Sequence, residues 1–130
     1  MLGLADTLKS IKGKRIMVVG DLMLDVFVYG DVNRISPESP VPVLSVQKED
    51  RMLGGGGNVL MNLSALGAVP VMVCVTGADA AADEVAAIVK THGAEADFIL
   101  KDSSRPTTLK TRYLARHQHL LRTDVEKTHP

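Results

Sequence analysis

Three groups of residues in this 130-residue sequence could do chemistry. The first is Gly20-Asp21-Leu22-Met23-Leu24-Asp25, placed where an apolar run ends. Ligands of open α/β sheets bind beyond the carboxyl ends of the strands. A carboxylate there, Asp25 before Asp21, can accept hydrogen bonds from sugar hydroxyls; it can equally be a loop acid that turns the chain. The second group is Leu53-Gly54-Gly55-Gly56-Gly57-Asn58. Four glycines in a row let backbone N–H groups approach a polar or anionic ligand closely. A plain flexible loop would more readily use Ser or Asn, because glycine loses more conformational entropy on folding. The third group is Lys110, Arg112 and Arg116. In a strand these even-numbered residues share a face. Three cations on one face repel unless an anion sits among them. At an effective dielectric near 20, each contact to a unit charge at about 4 Å has a gross attraction of roughly 4 kcal/mol before desolvation, enough to hold a phosphate. A solvated basic face accounts for the same residues.

Other chemistries fit less well. A dinucleotide fingerprint needs Gly-x-Gly-x-x-Gly straight after a strand. Here the charged stretch Lys48-Glu49-Asp50-Arg51-Met52 precedes the glycines. No Gly-Lys-Ser/Thr follows them, so a Walker A loop fails too. His92, His117, His119 and His129 have no carboxylate at metal-ligand spacing and read as turn and surface residues, so no metal site is expected. Cys74, the one cysteine, lies in Val71-Met72-Val73-Cys74-Val75 and reads as a buried core residue, not a nucleophile.

Hydrophobic periodicity supplies the elements that would position these groups. Leu2, Leu4, Leu8 and Ile11 recur with helical spacing, and Gly13 closes the segment. Arg15–Gly20 reads as a buried parallel strand. Val26–Tyr29 is a further strand, ended by Gly30-Asp31. Pro37, Pro40 and Pro42 exclude a helix or central strand over 34–42. Val43–Gln47 alternates like a half-exposed strand. Val59, Leu60, Asn62, Leu63, Ala65 and Leu66 predict a helix stopping at Gly67. A buried strand over 69–75, a helix over 80–92 and a short strand over 97–100 follow. Two more strands, 107–116 and 120–124, join near His117-Gln118-His119. The central strand–helix alternation predicts an α/β fold with a parallel sheet flanked by helices. Segments 26–31, 43–47, 107–116 and 120–124 predict a second, small β-sheet lid beside it.

Bulk composition narrows the partners. Fifteen basic and fifteen acidic residues cancel, and aromatic content is 3%, so neither a nucleic acid nor a membrane surface is expected. The lone cysteine and the lack of a signal peptide or long apolar span point to the cytoplasm.

Taken together, these residues resemble the ribokinase-like (PfkB) carbohydrate kinases. The glycine run with Asn58, followed by Gly67 and Gly77, is similar to that family's first signature. Within the family the sequence looks most like the N-terminal kinase portion of the D-glycero-β-D-manno-heptose 7-phosphate kinase branch, whose members are often fused to an adenylyltransferase. Gly20–Asp25, Tyr29-Gly30-Asp31, Arg34–Val43, Thr107–Arg112 and Arg116–Arg122 carry this likeness, with His117-Gln118-His119 where Asn-Gln-Gln is usual. The resemblance implies that Asp25 binds sugar hydroxyls and that Gly54, Gly55 and Asn58 line the sugar pocket. It implies that Lys110, Arg112 and Arg116 face the substrate and its 7-phosphate, with Gln118 as a polar contact nearby. It also implies a sugar phosphate as substrate, ATP and Mg2+ as cofactors of the full-length enzyme, and a homodimer through the lid. The family's catalytic Asp lies in a Gly-Ala-Gly-Asp motif that this sequence lacks. Residues 1–130 are therefore expected to be the N-terminal fragment of one kinase domain, inactive alone, binding ATP poorly and prone to self-association. A kinase for another phosphorylated sugar and a non-catalytic sugar-phosphate-binding module are the alternatives.

Overall fold

The computed structural model describes residues 3–127. Leu2 and His129 lie outside the described residues. Chain order is α1 (Leu4–Ile11), β1 (Arg15–Val19), β2 (Leu22–Ile35), β3 (Pro42–Gly55), α2 (Gly56–Ala65), β4 (Val69–Thr76), α3 (Ala80–Thr91), β5 (Glu95–Lys101), β6 (Leu109–Ala115) and β7 (Gln118–Val125). The strands form two sheets. One is parallel, in the order β1-β4-β5; the other is a four-stranded lid, in the order β3-β2-β6-β7. Inside the lid, β2 runs antiparallel to β3 but parallel to β6, and β6 turns back antiparallel into β7. The α/β sheet and lid expected from periodicity are both present.

One core joins the two sheets. Val18, Met72 and Cys74 from the parallel sheet meet Leu22, Leu24, Val26, Val28 and Leu53 from the lid, with Leu60 of α2 and Val85 and Val89 of α3 between them. Strict alternation along β2 sends Leu22, Leu24, Val26 and Val28 into this core and Met23, Asp25, Phe27 and Tyr29 to the opposite face. The core face thereby fixes which side chains stand on the site face. Leu60, in the first turns of α2, is fully buried. The second face of the parallel sheet is bare: Met17, Val19, Val75, Phe98 and Leu100 are exposed there. Parallel sheets normally have both faces covered.

Several boundaries differ from the reading of the sequence; β2 begins at Leu22, not Val26, so Asp25 stands within the strand and not in a loop after β1. β2 does not end at Gly30-Asp31; it runs on to Ile35. The register shifts between Tyr29 and Gly30, and a Cβ on Gly30 would run into the Ser45 carbonyl, so this glycine marks a bulge inside the strand. The charged stretch Lys48–Met52 is not a loop but the middle of β3. As the lid's edge strand, β3 tolerates charges, which pair locally: Lys48 with Asp50, and Arg51 with Glu49 and with Glu84 of α3. The glycine run therefore does follow a strand directly, though an antiparallel one.

Candidate functional site

The glycine run divides between two elements. Gly54 and Gly55 end β3, and Gly56 and Gly57 open α2. Gly55 has φ 59° and ψ −128°, a backbone conformation reserved for glycine. That kink sends the chain from the lid into the helix, and the Gly56 N–H donates to the Asp21 carbonyl at 2.7 Å. Asn58 follows in the first turn of α2, exposed. Gly54 is buried beneath Asp25: a Cβ there would lie 2.5 Å from Asp25 Oδ2 and 2.8 Å from Met23 Cγ.

Asp25 faces β6 as well. Its register partner is Lys110, yet its bonded partner is Arg112, whose Nη1 donates to Asp25 Oδ1 at 2.7 Å. Both side chains are largely buried, Arg112 being 21% and Asp25 16% exposed. The guanidinium also lies over the Phe27 ring, 5.0 Å from its centroid. Lys110 turns the other way and donates to Asp124 and Glu126 at 3.0 Å each. Those bonds hold Lys110 protonated above its ordinary range, and Lys110, then Arg122, hold Asp124 ionised below its ordinary range against the cost of its desolvation.

The structure thus brings Asp25, Gly54, Lys110 and Arg112 together on one face, with Gly55 and Asn58 where β3 passes into α2. Arg116 stands apart. β6 ends at Ala115, its pairing with β7 shifts between Tyr113 and Leu114, and Arg116 takes φ 54° in the two-residue turn to β7. The alternation that would align Arg116 with Arg112 fails because a tight hairpin needs a positive φ at its first turn position. Arg116 is 80% exposed and 3.7 Å from Asp31. Gln118 begins β7 beside it. At about 3.3 Å per residue, Arg116 lies on the order of 20 Å from Lys110 along the strand.

Arg122 is a residue the sequence reading passed over. It pairs directly opposite Arg112 across β6 and β7. Both line an open cavity of about 350 Å³ with His119, Leu120 and Leu121. Its alternation with Asp124 along β7 was the available signal. The electrostatic premise of an outside anion also changes: carboxylates of the chain itself sit among the cations, Asp25 on Arg112, Asp124 and Glu126 on Lys110, and Asp124 on Arg122.

A second polar cluster ties the lid to the parallel sheet. Asp79 caps α3 by accepting from the Ala82 N–H. It also accepts from the Thr107 hydroxyl at 2.6 Å and the Thr107 N–H at 2.8 Å. The Thr107 hydroxyl in turn accepts from the Gly77 N–H at 2.9 Å. Thr107, 1% exposed, sits just ahead of β6. Desolvation opposes ionisation of Asp79, but the bonds from Thr107 and Ala82 outweigh it and hold the carboxyl below its usual range.

A lid of mixed strands beside a helix-flanked parallel sheet, with an acidic residue over a glycine strand end, defines a sugar kinase fold. The pfkB family carbohydrate kinase pattern matches residues 14–129, and the chain belongs to that family. It is 49% identical over 127 residues to the "Bifunctional protein HldE" of Paramagnetospirillum magneticum, covering 98% of this chain and 26% of that protein. It is 46% identical over 122 residues to the "D-beta-D-heptose 7-phosphate kinase" of Bordetella bronchiseptica, covering 94% of this chain and 38% of that protein. Among solved structures, a carbohydrate kinase from Agrobacterium tumefaciens superposes with a TM-score of 0.68 at 25% identity over 85% of this chain and 35% of the other. Arabidopsis thaliana ribokinase gives 0.64 at 18% identity over 89% and 36%. The chain spans about a quarter of the bifunctional relatives.

Proposed function

We propose that these residues form the sugar-binding part of an ATP-dependent kinase that phosphorylates D-glycero-β-D-manno-heptose 7-phosphate at O1, in the synthesis of ADP-heptose for the lipopolysaccharide core. The observation that carries this reading is the Asp25 carboxylate, seated over Gly54 and bridged to Arg112 on the lid's site face. An ionised carboxylate accepts hydrogen bonds only, which suits adjacent sugar hydroxyls. Gly55 and Asn58 follow Gly54 where β3 passes into α2. Lys110 and the added Arg122 supply cations for the phosphate end, with Arg116 and Gln118 the outermost part. Closing the lid would exclude water, which competes as a phosphoryl acceptor.

When bound, ATP supplies the transferred phosphoryl group. The residues described here do not fit ATP with Mg2+. The Gly56 N–H at the head of α2 is already bonded to the Asp21 carbonyl within the chain. We assign nucleotide and metal binding, and the catalytic base, to residues outside this sequence, so the 130 residues alone bind sugar phosphate and do not turn over ATP. The protein acts in the cytoplasm and pairs through its lid, where Val41, Pro42, Leu44, Tyr113, Leu120 and Leu121 line an apolar groove of about 450 Å³. A monomer in light scattering at micromolar concentration counts against that pairing.

Calorimetric titration with a panel of sugars tests the function. Heptose 7-phosphate should bind more tightly than the unphosphorylated heptose and than hexose 6-phosphates. An equal response to all of them contradicts the substrate assignment.

A further inference from the structure

We infer that Arg112 is a positioning residue: it fixes the Asp25 carboxylate for a sugar hydroxyl and does not itself hold the substrate's phosphate. This rests on the sugar-binding reading above and assigns one residue's role within it. Asp25 is constrained on both oxygens. Oδ1 accepts from Arg112 Nη1 at 2.7 Å, and Oδ2 lies in the space left by the missing side chain of Gly54. Arg112 is constrained in turn, with its guanidinium over Phe27, its register partner on β2. Phe27 and Asp25 alternate onto one face of β2, so the stacking ring and the bonded carboxylate are consecutive residues of that face.

The nearer cation by register does not take this part. Lys110, opposite Asp25, is held instead by Asp124 and Glu126 on the far side of β6. Arg112 suits Asp25 by shape: its rigid, planar fork meets the carboxylate while its guanidinium carbon lies over the Phe27 ring, whereas the compact Lys110 ammonium goes to Asp124 and Glu126. An arginine largely buried, bonded to a carboxylate and held over a ring has its direction set by the protein before any ligand arrives. Arg122, opposite it on β7, bonds Asp124 through Nε but is 56% exposed and so open to a phosphate contact.

The test compares heptose 7-phosphate with the unphosphorylated heptose by calorimetry on the chain and its variants. Arg112→Ala should weaken both ligands alike, by about tenfold or more. Arg112→Lys should fail to restore binding, since charge without the fork and stack does not set Asp25. In an Asp25→Asn background, Arg112→Ala should cost nothing further. A loss confined to the phosphorylated ligand, rescue by Lys, or fully additive losses would overturn the inference. Failure of the wild-type chain to bind either sugar would instead count against the sugar-binding reading. A stability cycle on the same variants needs no ligand: Asp25→Asn and Arg112→Ala should be non-additive in thermal unfolding, and additivity overturns the pairing itself.

Discussion

The Asp25 carboxylate occupies the space that a side chain at Gly54 would need. A Cβ at that position would lie 2.5 Å from Asp25 Oδ2 and 2.8 Å from Met23 Cγ. Gly54→Ala should therefore push Asp25 off its seat and break its bond to Arg112. Overpacking of this kind destabilises by about 1–3 kcal/mol. The expected signature is a modest fall in melting temperature with a loss of sugar-phosphate affinity of about tenfold or more, the scale of a lost charge-assisted contact. Calorimetry and thermal unfolding read the two separately; unchanged affinity would show that Asp25 does not need its present place.

Asp79 gives the fold a defined acid sensitivity. Its carboxyl is held below the usual range in the folded chain, while the unfolded value is about 3.9. The unfolded state then takes up the proton first as pH falls. The contribution of Asp79 is complete above about pH 4 and is lost as pH drops through the lower, folded value. Asp79→Ala should lower stability at neutral pH by about 1–2 kcal/mol, as for a lost helix cap. It should also flatten the stability–pH curve below about pH 4. Denaturant melts across pH measure this, and an unchanged acid slope would remove Asp79 from the account.

Cys74 should be silent to thiol reagents. Burial first, and the Asp21 charge second, push its thiol up to about 11. Thiolate is the reactive species, so the folded chain should label very slowly near pH 8 and the unfolded chain at the ordinary rate. Labelling kinetics with and without denaturant decide it; rapid labelling of the native chain would mean that the strand β4 opens readily.

On the proposed reading, Arg122 serves the phosphate end of the ligand and not the sugar ring. It faces the cavity it shares with Arg112 and His119, bonded to Asp124 at 2.9 Å. Arg122→Ala should weaken heptose 7-phosphate while leaving the unphosphorylated sugar nearly unchanged, and Arg116→Ala at the exposed hairpin tip should do less than Arg122→Ala. Equal losses for both sugars in Arg122→Ala would take the phosphate away from this part of the lid.

Much of this arrangement is legible in the residues, and the parts that are not have physical reasons. Buried runs such as Val69–Val75 and the helix face of Val85, Ile88 and Val89 declare themselves by period, because the core selects them. The lid's reach did not: Gly30 and the charges of Lys48–Met52 look like breaks, yet a bulge accommodates the first and an edge position the second. Asp25 and Gly54 were nominated by type and spacing and stand against each other, with Gly55 and Asn58 following where β3 passes into α2. The cations were nominated by parity, which holds for Lys110 and Arg112 but stops at the hairpin, where Arg116 turns away. The carboxylate partners of Lys110, Asp124 on β7 and Glu126 just past its end, depend on a strand register that a single sequence does not reveal.

The most direct measurement of the central claim is a heptose 7-phosphate titration of the isotope-labelled chain followed residue by residue by NMR. Saturable shifts should gather at Asp25, Gly54, Gly55, Asn58 and Arg112 and should need about tenfold more ligand in Asp25→Asn. An absence of saturable shifts, or shifts confined to the bare face of Met17, Val75 and Phe98, would contradict a sugar site on the lid.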